Sequence, residues 1–294
     1  MSSRLYTSVL ICIVAIASMA TCIAQPLRSG IPDHAELDTI DLVYSFDVGE
    51  TVTYRVTTHD TLVLSGANSV LQAAERSHIV SYTCDSIVRD GYVLTMRYSG
   101  YAARERRDSL PLVTRTAHPW TEHSYTFLMT PDGRRVRLLS KSDSLVAPAG
   151  PFQPLLLPYL GDRWTHVGSS QMFDIAHWLI DNVAPAIIWN GTSFRAITER
   201  REAFGLAAIG VSLTETGRAT YEASGGRITD AIINSEGHYW YSPMLGYPVA
   251  GEVVSMNRLE IRSNGAQAEG RQVIHTTFEI VAEADIGLRD NASR

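Results

Sequence analysis

Three polar residues near the middle of the chain have the types and the spacing of a metal site. Asp174, His177 and Asp181 lie three and four residues apart, so a helix over residues 171–183 would place all three on one face. Imidazole and carboxylate groups both bind Zn or Mn. If the segment is a strand, Asp174 and His177 point to opposite faces and the site is lost. The three residues also suit the solvent side of an amphipathic helix, so both interpretations stay open.

Recognisable catalytic motifs are missing from the sequence. The closest approach to the nucleophile elbow of serine hydrolases, Gly210 to Thr214, ends in threonine inside a strand-like pattern. The zinc-peptidase pattern HExxH does not occur, and neither does a glycine-rich phosphate loop. We therefore predict a non-enzymatic protein without a cofactor. A hydrolase whose catalytic residues meet only in three dimensions remains an alternative.

The first 24 residues have the features of a secretory signal peptide. A single basic residue, Arg4, precedes an apolar run from Val9 to Ala20, and small and polar residues follow it. A run of about a dozen residues is too short for a permanent membrane-spanning helix, which needs about 20. We expect cleavage after Ala24, export to the periplasm, the outer surface or the medium, and no transmembrane span afterwards. Lipid anchoring at Cys22 is the alternative.

The net charge argues against a nucleic-acid-binding protein, and the cysteine content argues against a disulfide-bonded one. The chain carries 25 lysines and arginines against 31 acidic residues, and this net charge of −6 argues against a nucleic-acid partner. Of the three cysteines, Cys12 and Cys22 lie in the predicted signal peptide, so Cys84 has no partner for a disulfide. Cys84 alternates in phase with Val80 and Tyr82, which predicts a small buried apolar residue.

Alternating apolar and polar residues predict β-strands through most of the chain. Residues 78–101 predict one hairpin around an Arg-Asp-Gly turn, and residues 125–138 predict another around Pro-Asp-Gly. Three arginines on the return strand of the second hairpin, Arg134, Arg135 and Arg137, are expected on a solvated outer face or strand edge, and an anion-binding patch is the alternative. The later half repeats the same alternation. About ten or more antiparallel strands and no recurring long helix follow from it.

The predicted fold is mainly β, a curved antiparallel sheet or half-barrel with few short helices, built either as one sheet or as two packed β halves. A proline-rich stretch separates the halves because proline cannot occupy a central strand. The predicted segments are 1–24 signal peptide, 25–39 flexible leader, 40–146 first β half, 147–160 linker, 161–285 second β half and 286–294 disordered tail.

Two elements resemble those of uncharacterised, exported, β-rich bacterial proteins. They are residues 157–164, LPYLGDRW, and residues 236–249, EGHYWYSPMLGYPV. The resemblance spans residues 40–285 and implies a half-barrel like that of the periplasmic lipoprotein carriers, whose concave face holds acyl chains or a peptide. Both elements consist of turn and aromatic residues, so the resemblance assigns no functional residue in this chain.

One face of the first β half is rich in aromatic and long apolar side chains. On a curved sheet this face would hold an elongated hydrophobic, lipid-like molecule or an envelope component. The predicted lining residues are Tyr82, Tyr92, Leu94, Met96, Tyr98, Phe127 and Met129. The same residues could instead fill a core without a cavity. The competing function is then a structural or adhesive envelope protein that acts through sheet edges and surface loops.

Overall fold

The structure is a computed structural model whose described residues lie in the compact unit Asp38–Arg294. It describes residues 40, 42–65, 69–117, 124–141, 155–161, 166–174, 187–223, 227–263 and 266–281. The predicted signal peptide (1–24), leader (25–39) and tail (286–294) lie outside the described residues. The described ranges form β-strands joined by turns and irregular segments, and they contain no helix.

Within the described ranges the chain forms twelve strands. In chain order they are β1 Thr51–Ser65, β2 Val70–Val88, β3 Gly91–Arg107, β4 Val113–Arg115, β5 Ser124–Met129, β6 Arg135–Lys141, β7 Ser170–Asp174, β8 Ile187–Ala203, β9 Leu206–Ala223, β10 Arg227–Ser242, β11 Tyr247–Ser263 and β12 Ala266–Ile280.

All twelve strands belong to one antiparallel sheet with the order β6-β5-β3-β2-β1-β12-β11-β10-β9-β8-β7, and β4 pairs with β3. The first and last long strands are neighbours, with Tyr54–Ser65 of β1 paired along Glu269–Ile280 of β12. The sheet has two arms, β1–β6 and β7–β12, and buried side chains from both form one cluster, so the sheet curves around them. The prediction of a curved antiparallel sheet is confirmed, and the structure has one sheet rather than two packed ones.

Both predicted hairpins are present. The first joins β2 to β3 through a turn at Arg89 and Asp90. Gly91, which begins β3, has a φ of 152°, and a side chain there would collide with the carbonyl oxygen of Met129 on β5. Glycine therefore lets β5 approach β3 closely. The second hairpin joins β5 to β6 through residues 130–134.

Two irregular segments, residues 42–48 and 155–161, pack against the concave side of the sheet; we call them the inner segments and that side the inner face. The backbone N–H of Tyr44 donates to the carbonyl of Pro131 at 2.6 Å, in the β5–β6 turn. The N–H of Ser45 donates to the carbonyl of Gly246 at 3.1 Å, in the β10–β11 turn. The first inner segment therefore connects the two arms of the sheet.

The second inner segment links strands at the two ends of the sheet. Leu160 N–H donates to the carbonyl of Asp132 at 2.8 Å, and Arg134 Nη2 donates to the hydroxyl of Tyr159 at 3.1 Å, both beside β6. The Tyr159 ring packs edge-on against Phe173 of β7, with centroids 5.0 Å apart. Residues 155–160, part of the predicted linker, thus belong to the core, where both Leu157 and Leu160 are buried.

Tyrosine hydroxyls hold the inner segments in place, and one of them, Tyr54, bonds the start of β11 instead. Backbone carbonyls outside a strand ladder need other donors when they are buried, and tyrosine brings a donor on an apolar ring. The pairs are Tyr44 with Pro158 (2.7 Å), Tyr54 with Pro248 (2.8 Å), Tyr92 with Tyr44 (3.0 Å), Tyr239 with Leu155 (2.9 Å) and Tyr241 with Val43. The tyrosines of the core thus have two roles: their rings fill space, and their hydroxyls donate hydrogen bonds to backbone carbonyls.

We predict that Tyr44→Phe lowers the free energy of unfolding by about 1–3 kcal/mol, because it leaves the buried Pro158 carbonyl without its donor. Tyr125→Phe is the matched control, since the buried Tyr125 hydroxyl has no partner within the described ranges. It should lose no stability. Urea unfolding followed by tryptophan fluorescence measures both, and equal losses for the two variants would show that hydroxyl bonding to the inner segments is unimportant.

Candidate functional site

Inward-facing side chains form rows across the sheet, because antiparallel pairing aligns residues of the same phase. One row, from β8 to β3, is Arg195, Leu213, Gly237, Val253, Thr276, Thr58, Arg76 and Ala103. The next row is Ser193, Glu215, Ser235, Ser255, Ile274, Asp60, Ala74 and Glu105. We call these two rows the polar belt, since charged and hydroxyl side chains predominate in them.

A chain of polar contacts crosses the sheet on the β11–β3 side of the belt. Asn257, in the row beyond the belt, donates to Gln272 at 3.4 Å, and Gln272 donates to Asp60 at 3.1 Å. Arg76 then bridges Asp60 at 3.3 Å and Glu105 at 3.4 Å. Burial raises the pKa of the Asp60 carboxyl, while the Gln272 hydrogen bond and the Arg76 charge lower it by less. Arg76 thus has two carboxylate partners.

A second ion pair lies on the β8–β9 side of the belt. Arg195, only 2% exposed, donates from Nη2 to Glu215 Oε1 at 3.0 Å, and Ser193 donates to the same oxygen at 3.1 Å. The Nε and Nη1 atoms of Arg195 have no hydrogen-bond partner among the described residues. A buried ion pair stabilises a fold only when its remaining donors are also bonded. Two nitrogen donors of the Arg195 guanidinium are therefore left unbonded by the described residues of the inner face.

Three more buried polar atoms, in the polar belt or the row beyond it, lack partners within the described ranges. They are the hydroxyls of Thr58 and Thr276 and the side-chain oxygen of Asn257. Thr58 and Thr276 are directly opposite each other across β1 and β12. Each buried group left unpaired costs about 1–3 kcal/mol, so native proteins supply a protein, water or ligand partner. These hydroxyl and amide groups, in the polar belt and the row beyond it, are thus left unbonded by the described residues.

The seven predicted lining residues all lie on the inner face within or against the core cluster. Leu94 and Met129 are fully buried, and Tyr92 is partly buried against the cluster. Neighbouring rings pack edge-on, as Tyr82 does on Phe127 with centroids 6.5 Å apart. The alternation thus brings all seven together. Their role in ligand binding stays a prediction.

Arg135 does not lie on a solvated outer face, and that prediction is wrong. It is 6% exposed, and its guanidinium carbon lies 4.7 Å from the centroid of the Phe127 ring on the inner face. The β5–β6 pairing contains two register shifts, which change the phase of the return strand. Arg134 and Arg137 are exposed as expected.

The surroundings of Arg135 are aromatic and hydroxylic. Burial raises the pKa of the Tyr82 phenol, while the charge and a hydrogen bond of Arg135 lower it by less. Arg135 also acts through its charge on Tyr125, the residue two positions before Phe127 on β5. Burying a guanidinium costs several kcal/mol, and stacking on one ring returns about 2 kcal/mol at most. We call Arg135, Tyr82, Tyr125 and Phe127 the arginine–tyrosine cluster.

The helical alternative for the metal site is wrong over its described part. Residues Ser170–Asp174 form strand β7, in which Asp174 is exposed. His177 and Asp181 lie outside the described residues, so the site as a whole stays a prediction. Within the described ranges no group of three or more His, Cys, Asp or Glu side chains is placed to hold a metal ion.

Two cavities are lined mainly by residues of the opposite, outward phase. The larger, about 930 Å³, has charges of both signs, including Arg218, Asp230, Arg258 and Glu260. The smaller, about 380 Å³, includes His59, Glu75, Arg104 and Arg106. Neither contains any of the seven predicted lining residues. Charged side chains line both cavities, and the inner-face residues Ala219, Ala231 and Leu259 also line the larger one.

No protein-family model matches the chain, and no curated protein matches it. Among solved structures, a lipovitellin structure described by its lipid–protein interactions is 9% identical, with a TM-score of 0.43 over 81% of this chain and 26% of that chain. An outer membrane channel from Pseudomonas putida F1 is 9% identical, with a TM-score of 0.22 over 85% of this chain and 100% of that chain. Both TM-scores lie below 0.5, so neither similarity bears on function. The described ranges hold no helix suited to crossing a bilayer.

Polar residues of the inner face also couple the fold to pH. His78, 2% exposed beside the Tyr98 ring, has its pKa lowered from 6.5 to about 4 by burial and then by the charge of Arg76. The unfolded chain therefore binds a proton below about pH 6.5 that the folded chain excludes until about pH 4. This difference makes the folded state less stable as pH falls through that window.

We predict that wild type loses about 3 kcal/mol more unfolding free energy than His78→Gln between pH 7 and pH 4. Asp60, whose raised pKa acts in the opposite sense, is present in both proteins and cancels in the comparison. Urea unfolding at several pH values measures the difference. Parallel pH profiles for the two proteins would show that folding does not lower the pKa of His78.

Proposed function

We propose that this protein is exported and non-enzymatic and holds an elongated hydrophobic ligand, which also carries polar atoms, against its inner face. The observation that carries this proposal is the unused bonding capacity of the polar belt and the row beyond it. Thr58, Thr276, Asn257 and Arg195 each have a buried polar atom without a partner in the described part of the chain. Residues that only filled a core would have those atoms paired.

Apolar rows on both sides of the polar belt support a hydrophobic partner. The row on one side contains Ile197, Val211, Tyr239, Phe278 and Val56. The second row on the other side contains Ala219, Ala231, Leu259 and Leu64. An acyl chain would contact these rows while an ester, hydroxyl or carboxyl group bonds to the belt. A purely apolar ligand would leave the belt unpaired.

Export is proposed from the sequence of residues 1–24 alone. The apolar run from Val9 to Ala20 and the small residues after it are the basis for a signal peptide. A mature chain that begins at Gln25 and one that is acylated on Cys22 differ in mass. The same mass measurement that detects a ligand therefore also separates secretion from lipid anchoring.

The structural or adhesive alternative gains no support from the sheet edges. The edge strands are short, with seven residues in β6 and five in β7. Short edge strands are a device that limits pairing with other chains. Beyond its pairing with β7, the Ala203 end of β8 carries the charged residues Arg200, Arg201 and Glu202, which also limit pairing with other chains. The edges are thus better suited to preventing assembly than to promoting it.

We predict that the exported protein, examined by native mass spectrometry, carries a lipid-like adduct that leaves on denaturation. Ser255→Leu should abolish the adduct, because Ser255 is 1% exposed in the polar belt and leucine would fill the space beside its partner Ser235. The matched control is Met256→Leu, one residue along β11 on the outward face, where Met256 is 50% exposed. The control should keep the adduct.

Circular dichroism establishes that both variants retain the β fold before the adducts are compared. Wild-type protein that stays free of adduct after incubation with vesicles of phospholipid and fatty acid would contradict the proposed function. An adduct that survives equally in both variants would place the ligand away from the polar belt.

A further inference from the structure

The arginine–tyrosine cluster lies on the inner face apart from the polar belt. Tyr82 on β2, Met96 on β3 and Tyr125 on β5 form one row. Phe127 follows two residues after Tyr125, and the Arg135 guanidinium lies over the Phe127 ring at 4.7 Å. Tyr125 is 1% exposed and Tyr82 is 2% exposed. The guanidinium is thus enclosed among rings.

Two buried atoms of the cluster have no hydrogen-bond partner among the described residues: Arg135 Nε and the Tyr125 hydroxyl oxygen. Arg135 also enters no salt bridge there, although the other two buried arginines of the inner face do: Arg76 has two and Arg195 has one. A guanidinium has only donors and a permanent charge, and a phenol can donate as well. The group that would satisfy both is therefore an anionic acceptor.

The inner-face carboxylates close to buried arginines are already engaged. Asp60 and Glu105 bind Arg76, and Glu215 binds Arg195. Removing any of them to neutralise Arg135 would leave another buried arginine unpaired. Within the described ranges, the chain does not provide the counter-ion that Arg135 requires.

We propose that the arginine–tyrosine cluster binds the carboxylate head group of a single-chain acyl ligand, with Arg135 Nε and the Tyr125 hydroxyl as donors. This proposal rests on the proposed function and specifies one end of the ligand as a fatty-acid carboxylate, while polar atoms farther along the ligand bond to the polar belt. Charge-assisted hydrogen bonds of this kind are shorter and stronger than neutral ones. The apolar residues around the cluster, Leu94 and Met96 among them, would contact the first part of the acyl chain.

The cluster also gives a chemical reason for part of the predicted lining set. Tyr82 and Phe127 belong to it, and Tyr98 packs edge-on against Tyr125 with centroids 6.1 Å apart. Alternation predicted these side chains as an apolar surface. Arg135 changes that surface into one that prefers an acid over a neutral lipid.

The test measures binding of palmitate, methyl palmitate and acetate to the full-length exported chain by isothermal titration calorimetry. Palmitate should bind about tenfold more tightly than methyl palmitate, which has the same chain without the charge. Arg135→Gln should remove this preference and leave binding of the ester unchanged. Arg137→Gln is the matched control, two residues along β6 and exposed, and should keep the preference.

Two further variants guard against an effect on folding alone. Tyr125→Phe should weaken palmitate about tenfold without lowering the free energy of unfolding, because its hydroxyl has no partner to lose. Arg135→Lys keeps the charge and should keep a preference for palmitate over the ester. A structural role for Arg135 would predict loss of stability and equal weakening of both ligands.

The outcomes separate this inference from the proposed function. Equal binding of palmitate and methyl palmitate to wild type would overturn the anion site and leave the hydrophobic ligand standing. No binding of either would overturn both proposals. Acetate binding as tight as palmitate would overturn the acyl ligand and make the cluster a site for small anions.

Discussion

The pairing of β1 with β12 is the constraint on which the rest of the structure depends. It joins the two ends of the described fold along Tyr54–Ser65 and Glu269–Ile280, so that two β arms become one sheet. Contacts so distant in sequence carry a high loop-closure entropy, which only a long and continuous ladder offsets. The register of this ladder also places Thr58 opposite Thr276 and thereby continues the polar belt from one arm to the other.

The inner face then divides by chemistry. At one end, the inner segments and the tyrosines that bond them form a packed aromatic core, as with Tyr44 and Pro158. Farther along the strands, hydroxyl, amide and charged side chains replace the aromatic ones. Three arginines are buried on this face, and Arg135 alone among them forms no salt bridge within the described ranges. That asymmetry, rather than any motif, is the basis for proposing an acidic hydrophobic ligand.

The sequence by itself determined the strand character of the chain, both hairpins and the shared face of the seven predicted lining residues. These features depend on a period of two and on turn chemistry, which are local properties. Tyr82, Cys84 and Leu94 are buried for that reason. The same period also placed Asp60 and Glu215 in phase with apolar neighbours. A charged residue in phase with a buried row was thus the available signal for the polar belt, and it was missed.

Only the tertiary structure decided which polar groups meet. Asp60 bonds Gln272 from the far end of the chain, and no local pattern specifies that partner. Arg135 turns inward because the irregular β5–β6 pairing shifts the phase of its strand. Uninterrupted alternation had predicted a solvent-exposed position for it. Side-chain direction along one strand is set by its own backbone geometry. Partners across the sheet are set by the register between distant strands, which only the assembled fold fixes.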